Sequence, residues 1–354
     1  MSGDARVYAC PIPCDRALAG AWPLASTAMG FREVAVLRCG APPEVLPAEA
    51  AAAAYPQLAA PIARAAAARS PVAGLAMDRP TVMGVVNVTP DSFSDGGRLE
   101  SAAAAHAHAR ALAAAGAGVL DIGGESTRPG AEPVPVAEEI ARVRPVIEAI
   151  VADPDISVPV SIDTRNAATA AAAREAGARI LNDVSALGHD PGMAAAAVAF
   201  DGLCLMHAQG DPQTMQADPR YEDVLLEVYD FLEARLAAAE RAGAARGQIW
   251  IDPGIGFGKR LEHNLALLRH LALFHTLGAP LLLGVSRKGF IGTLSGEAQA
   301  DRRAPGSIAA GLYGLGQGVH ILRVHDVAET AQAVAVWQAL AAGGVPPRGQ
   351  GGAP

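Results

Sequence analysis

Lysine is almost missing from this chain of 354 residues: of its 28 basic residues, only Lys259 and Lys288 are lysine. Where arginine supplies the surface charge, lysine is not needed as filler, so the two exceptions are singled out for a specific role. Asparagine is nearly as rare, at positions 87, 166, 182 and 264. Cysteine occurs four times (Cys10, Cys14, Cys39, Cys204); only the first two are close, and no histidine completes a four-ligand set. That argues against a metal or disulfide framework and predicts free thiols. No window approaches the roughly 18 strongly apolar residues that a membrane span needs, because much of the 51% hydrophobic content is alanine. The opening MSGDARVYACPIP lacks a basic region followed by an apolar one, so no secretory signal is read and a cytoplasmic location is expected. A formal charge of −8 without a basic cluster argues against a nucleic-acid partner, which would demand a positive face. A small anionic ligand stays open, since charge at a site matters more than the total.

From about residue 80 the chain repeats a short apolar run, a polar loop and an alanine-rich helical stretch, the pattern of βαβ units around a parallel sheet. Strands are read at 82–87, 118–122, 158–163, 179–183, 202–207, 249–252, 281–286 and 320–325. Helices are read near 101–115, 136–151, 166–176, 191–199, 221–246, 261–271, 303–317 and 326–341, with Ser101 and Pro191 as start signals. Eight strand–helix pairs predict an α/β chain whose residues 79–345 form a (β/α)8 TIM barrel. A doubly wound open sheet is the alternative, and no G-x-G-x-x-G follows the first strand to favour a dinucleotide fold. Residues 1–78, rich in proline and alanine, are an N-terminal extension of unassigned role, either a small packed appendage or a loose arm, with one helix read at 57–70. Residues 346–354 read as a flexible tail.

A barrel of this kind works at the C-terminal ends of its strands, and polar residues collect at all eight. Asn87 leads into Thr89-Pro90-Asp91-Ser92-Phe93; Asp121 leads into Gly123-Gly124-Glu125-Ser126-Thr127-Arg128-Pro129. Asp163, Asn182, Met206-His207 and Asp252 end the next four strands, and Ser286-Arg287-Lys288 and Arg323-Val324-His325-Asp326 end the last two. The basic residues of strands 7 and 8 imply a phosphate or diphosphate site, unless Arg287 or Arg323 only pairs with a barrel acid such as Glu329. The carboxylates of Asp163 and Asp252 need donors where water is limited. A ligand edge with two adjacent N–H groups, as in a 2-amino-pyrimidinone ring, would satisfy them; holding a divalent metal or pairing with Lys288 is the alternative. Gly254-Ile255-Gly256-Phe257-Gly258-Lys259 lacks the spacing of a Walker motif and reads as a tight loop that lets backbone or Phe257 approach a flat ligand.

Taken in order, NVTPDSFSDGG (87–97), DIGGESTRPGA (121–131), SIDT (161–164), LNDVSAL (181–187), LMHAQGDPQTMQ (205–216), DPGIGFGK (252–259), GVSRKGFIG (284–292) and RVHD (323–326) resemble dihydropteroate synthase over about residues 80 to 340. The resemblance implies condensation of 6-hydroxymethyl-7,8-dihydropterin diphosphate with p-aminobenzoate, with Mg²⁺ bridging Asn87 and the leaving group. It implies a pterin set of Asp163, Asn182, Met206, Asp252 and Lys288, and a diphosphate set of Asn87, Arg128, Arg323 and His325. It places Phe93, Thr127, Arg128, Pro129, Phe257, Ser286 and Lys288 around p-aminobenzoate, and makes sulfonamides competitors and the protein a homodimer. Catalysis would rest on Asn87, Asp163, Asp252, Lys288, Arg323 and His325. Corrinoid-dependent methyltransferase barrels share the Asp/Asn pterin set but lack SRK and RVHD, and a non-catalytic pterin-binding barrel would be expected to lose Asn87 or the Arg323 and His325 end. A Schiff-base aldolase using Lys288 is a third alternative.

Overall fold

Short, wholly buried runs such as Val119–Gly123 and Gly202–Met206, apolar but for Asp121, are covered on both faces, which is what a parallel sheet wrapped in helices requires. In the computed structural model, which describes residues 6–88, 98–125, 133–210 and 214–341, they assemble into a barrel. Its eight parallel strands are β5 (Thr81–Asn87), β6 (Val119–Gly123), β7 (Val160–Asp163), β8 (Ile180–Asp183), β9 (Gly202–Met206), β10 (Ile249–Asp252), β11 (Leu282–Leu283) and β12 (Ile321–Val324). Each strand pairs with its sequence neighbours and β12 pairs with β5. The ring closes between β10 and β11 through a parallel bridge at Ile251 and Leu281, with Ile251 N donating to Pro280 O at 2.9 Å. This is the expected TIM barrel, its strands within two residues of the sequence reading except β11, which keeps only two residues of regular pairing.

Outside the ring lie α3 (Arg98–Ala114), α4 (Val136–Ala152), α5 (Ala167–Glu175), α6 (Met193–Ala197), α7 (Val224–Ala242), α8 (Leu261–Arg269), α10 (Ala304–Gly316) and α11 (Val327–Ala341). The helix read at 221–246 is shorter for a local reason. Asp223 caps it by accepting from Leu225 N and Leu226 N, and Gly243 ends it in the left-handed region at φ 108°. A short extra helix after β11, α9 (Gly289–Ser295), was not anticipated.

Residues 6–66 are a packed layer rather than an arm. Strands β1 (Tyr8–Asp15), β2 (Trp22–Pro23), β3 (Met29–Leu37) and β4 (Glu44–Pro47) form an antiparallel sheet, followed by α1 (Ala48–Ala54), which is the polyalanine run, and α2 (Ala59–Ala66). Only part of the single helix read at 57–70 is α-helical, since Pro56–Leu58 is a 3-10 turn and the chain extends after Ala66. Leu24, Phe31, Val34, Val36, Leu58 and Ile62 give this layer its own core. It is bonded to the barrel: Arg64 Nε donates to Thr276 O (2.7 Å), Arg69 Nη2 to His275 O (2.9 Å) and Tyr8 Oη to Asp230 (2.9 Å).

His320 joins the two parts. Its Nδ1 accepts from Leu281 N (3.1 Å), so Nε2 carries the proton and donates to Ala25 O (2.8 Å). Burial holds this ring neutral with its pKa lowered from 6.5 to about 4, and pushes its neighbour His275 well below the ordinary range. A histidine depressed in the folded state takes up its proton more readily when unfolded. Its contribution is therefore complete above pH 6.5 and lost as pH falls from 6.5 toward 4, on the order of 3 kcal/mol for His320 alone. Urea unfolding followed between pH 7 and pH 4 is expected to show this loss, and His320→Asn to flatten it; an equal acid loss in both proteins would contradict the assignment.

Candidate active site

Parallel pairing lines up the polar strand ends in rows. Asn87, Gly123, Asp163 and Asn182 are register partners on β5, β6, β7 and β8, and Met206 pairs with Asp252 on β9 and β10. Asp163, Asn182, Met206 and Asp252 of these rows, with Phe257, Ser286, Lys288, Arg323 and His325, surround a cleft at the C-terminal mouth of the barrel that spans about 470 Å3, open solvent included. Asn182, Met206, Asp163, Asp252, Lys288 and Phe257 line it directly. Asn87 sits at the edge, its Oδ1 3.8 Å from where a Cβ on Gly123 would lie. Phe93, Thr127, Arg128 and Pro129 lie outside the described residues.

Arg323 spans the floor of the cleft. Its Nε donates to Asp121 Oδ2 (2.6 Å) and its Nη2 to Asp163 Oδ2 (2.7 Å), while Asn182 Nδ2 also donates to Asp121 Oδ2 (3.1 Å). The other oxygens, Asp121 Oδ1 and Asp163 Oδ1, are buried with no partner among the described residues. Burial raises Asp163 to about 7 although Arg323 pulls the other way. Buried acceptors without donors at a cleft are unmet demands, and a ligand bringing N–H groups would answer them.

The opposite wall carries Asp252 and Lys288. Burial raises the Asp252 carboxyl while Lys288 opposes that shift, and burial lowers Lys288 to about 8 while Asp252 opposes it in turn. Both face Gly284: a Cβ there would lie 3.7 Å from Asp252 Oδ2 and 3.8 Å from Lys288 Nζ. A side chain at 284 would fill the cradle between them. Lys288 Nζ donates to Ile255 O and stands 4.6 Å from the centroid of the Phe257 ring.

Ser286 and His325 form a unit at the rim. The Ser286 hydroxyl accepts from His325 N (3.1 Å) and lies 3.0 Å from His325 Nδ1, so serine and imidazole are tied at two points whichever tautomer the ring takes. The expectation that Arg287 adds to the positive charge is corrected: it pairs with Asp326 (Nε to Oδ2 3.1 Å, Nη2 to Oδ1 2.5 Å), not with Glu329, and is not among the residues that line the cleft. The positive groups facing the cleft from β11 and β12 are thus Lys288 and Arg323, beside the His325 ring.

A family profile described as "Pterin binding enzyme" matches residues 83–325. Dihydropteroate synthase from Neisseria meningitidis serogroup B is 50% identical over 272 residues, 75% of this chain and 94% of that one. The chain belongs to the dihydropteroate synthase family. Its activity is the group transfer for which that family is named, within folate biosynthesis. The Xanthomonas albilineans dihydropteroate synthase solved with 4-aminobenzoic acid is 49% identical with a TM-score of 0.71, covering 76% of this chain and 96% of that one. The Yersinia pestis dihydropteroate synthase solved with a sulfonamide drug complex is 43% identical with a TM-score of 0.70, covering 75% and 96%. Every strand-end residue from Asn87 to His325 lies inside the matched span, and the N-terminal sheet lies outside it.

Three residues at or beside the cleft have no role assigned by the sequence reading. Asp121 was seen only as a strand end, although an aspartate two residues before the end of a wholly buried strand already requires a partner. Gly284 gave no signal, because its importance lies in what a Cβ would displace. His207, 6% exposed, was noted at the end of β9 but not as a partner for Lys259.

Proposed function

We propose that this chain joins 6-hydroxymethyl-7,8-dihydropterin diphosphate to p-aminobenzoate in the barrel-mouth cleft, releasing diphosphate and 7,8-dihydropteroate. The observation that carries the reading is the pair of acceptor walls, Asp163 with Asn182 and Asp252 beside Lys288, facing each other across a cleft with Arg323 and His325 at one end. A flat pterin has a 2-amino-pyrimidinone edge whose N–H groups suit Asp163 and Asp252 and whose carbonyl suits Lys288 and Asn182. Binding such donors would draw Asp163 back into its ionised form, which its shifted titration makes costly in the free site. Arg323 and His325 Nε2 would then meet the diphosphate, and Ser286 and Phe257 the p-aminobenzoate.

In this reading the C–O bond at the pterin methylene breaks first, and its electron pair leaves with the diphosphate. The amine nitrogen of p-aminobenzoate then bonds to the methylene carbon and gives up a proton to water or to the departed diphosphate. Arg323 and His325 favour departure because their charge and donors are in place beforehand. The ionised carboxylates of Asp163 and Asp252 favour the positive charge left on the pterin.

Mg²⁺ belongs to this proposal as a companion of the diphosphate. Among the described residues no cluster of three or more His, Cys, Asp or Glu could hold a metal. Asn87 offers one amide oxygen at the site, the hard donor that Mg²⁺ accepts when phosphate and water complete its shell. Asn87 would hold the ion, which when bound would neutralise charge on the leaving group.

Asp252→Asn replaces half of an acceptor fork with a donor and is expected to weaken binding of the bare dihydropterin about a hundredfold. Calorimetric titration checks this, and unchanged affinity would remove Asp252 from the pterin set. Sulfonamides compete with p-aminobenzoate in the same reading. The four cysteines, with Cys10 and Cys14 held apart on one extended strand, suit a reducing cytoplasm. Leu294, Tyr313, Val336 and Leu340 are exposed on α9, α10 and α11, where α10 carries no charged residue, and this face is the one proposed to pair in a homodimer. Sedimentation of Tyr313→Asp beside the parent chain decides that point. Among the described residues, no helix is long and apolar enough to cross a membrane.

A further inference from the structure

Lys259, the other of the two lysines, has no part in the chemistry above and is only 3% exposed. Its Nζ donates to Gly254 O (2.8 Å), Phe257 O (3.0 Å) and His207 Nδ1 (2.8 Å). His207 O lies a little farther off at 3.4 Å, and burial pulls the amine well below the ordinary lysine range while Asp252 opposes that shift. Burial holds His207 well below its ordinary range, so the ring is neutral, and in the tautomer with the proton on Nε2 its Nδ1 accepts from the lysine. The acceptors come from two strand ends, His207 after β9 and the 254–258 loop after β10.

That loop is pressed onto the backbone beside it. Gly254, Gly256 and Gly258 all have positive φ, and a Cβ would lie 1.8 Å from His207 O at position 254 and 2.3 Å from Gln209 O at position 258. The buried Ile255 side chain, Asn264 Oδ1 accepting from Gly256 N (2.7 Å) and Tyr221 Oη donating to Gly258 O (2.8 Å) anchor the loop elsewhere; against His207, where glycines press on backbone, polar bonds carry the join, and Lys259 makes them from one buried point. The loop is also the seat of Lys288, through Ile255 O and the Phe257 ring, and a Cβ on Gly256 would be 3.3 Å from Lys288 Cδ. An apolar side chain of similar length would fill the same space without the cost of burying an amine. The amine therefore has to be explained by what it holds.

We infer that Lys259 is a positioning residue of the active site: by fixing the 254–258 loop against His207 it sets where the Lys288 amine and the Phe257 ring stand beside the pterin. This rests on the reading of the barrel-mouth cleft as a pterin site.

The chain's composition supplies a direct test. Because Lys259 and Lys288 are its only lysines, 13Cε-lysine labelling of Lys259→Met leaves a single NMR signal, that of Lys288. Loosening the loop should admit water around Lys288, so its titration midpoint is expected to rise from about 8 by about one pH unit or more, with dihydropterin affinity falling about tenfold. An unchanged Lys288 midpoint in the folded variant would overturn the inference, whatever the affinity does. Should Lys259→Met not fold, His207→Leu removes one acceptor and leaves the lysine; a raised Lys288 midpoint there again supports the inference, and an unchanged one overturns it. Parent protein that binds no dihydropterin would count against the site reading, while the Lys288 midpoint would still judge the role of Lys259.

Discussion

Replacing Arg323 with alanine is expected to cost about 3 kcal/mol or more of stability and to abolish binding of the bare dihydropterin along with its diphosphate ester. The sequence alone suggests a narrower effect, confined to the diphosphate, because Arg323 reads there as an anion ligand at a strand end. In the folded chain its guanidinium is the shared partner of Asp121 and Asp163. Without it, two buried carboxylates face each other with only Asn182 as a donor to one of them. Asp163, already raised to about 7 with the arginine in place, would stay protonated through neutral pH and lose half its acceptor capacity for the pterin. Arg323→Lys keeps the charge but not the fork, and should recover stability more than function. Denaturant unfolding and calorimetry with the two ligands separate the cases. A stable variant that binds bare dihydropterin normally and fails only with the diphosphate would restore the simpler view.

Deleting residues 1–78 is expected to leave the barrel insoluble or aggregated. Strand β1 and helix α2 pack on the stretch 271–277, whose Leu273, Phe274 and Leu277 belong to the barrel's core cluster. The deletion would also break the bonds of His320 Nε2–H, Thr276 O and His275 O to Ala25, Arg64 and Arg69, leaving those groups to water. The main cost is the apolar surface bared on the stretch 271–277, large beside an ordinary domain's whole stability of about 5 to 15 kcal/mol. Expression of the truncated chain beside the full one, with solubility and unfolding compared, checks it. A soluble truncated barrel with unchanged midpoint would mean that the layer is a mere attachment.

The barrel was legible because its signals are local: apolar runs, alanine-rich helices, and turn chemistry at each strand end. So were Asp163, Asn182, Asp252, Lys288, Arg323 and His325, since a barrel strand's last residues face the mouth whatever else the chain does. What was not legible depends on contacts between distant segments. That Arg323 would reach Asp121, 202 positions away, and that Arg287 would be spent on Asp326 follows from side-chain reach across the ring. The short alternating strands of residues 8–47 were missed because prolines at 11, 13, 23 and 47 mask the two-residue period, and because Ile12, Leu18 and Val45 are exposed apolar residues that give no pattern. Gly284 and Lys259 matter through the space and the backbone around them, which no single stretch of sequence records.

The central claim is that the barrel-mouth cleft breaks the bond to diphosphate and hands the pterin to p-aminobenzoate. Its most direct test is to incubate the protein with dihydropterin diphosphate and Mg²⁺, with and without p-aminobenzoate, following diphosphate by a coupled assay and dihydropteroate by mass. The account predicts dihydropteroate in step with diphosphate when p-aminobenzoate is present, and loss of both in Asp252→Asn. Tight pterin binding with no dihydropteroate under any of these conditions would contradict it.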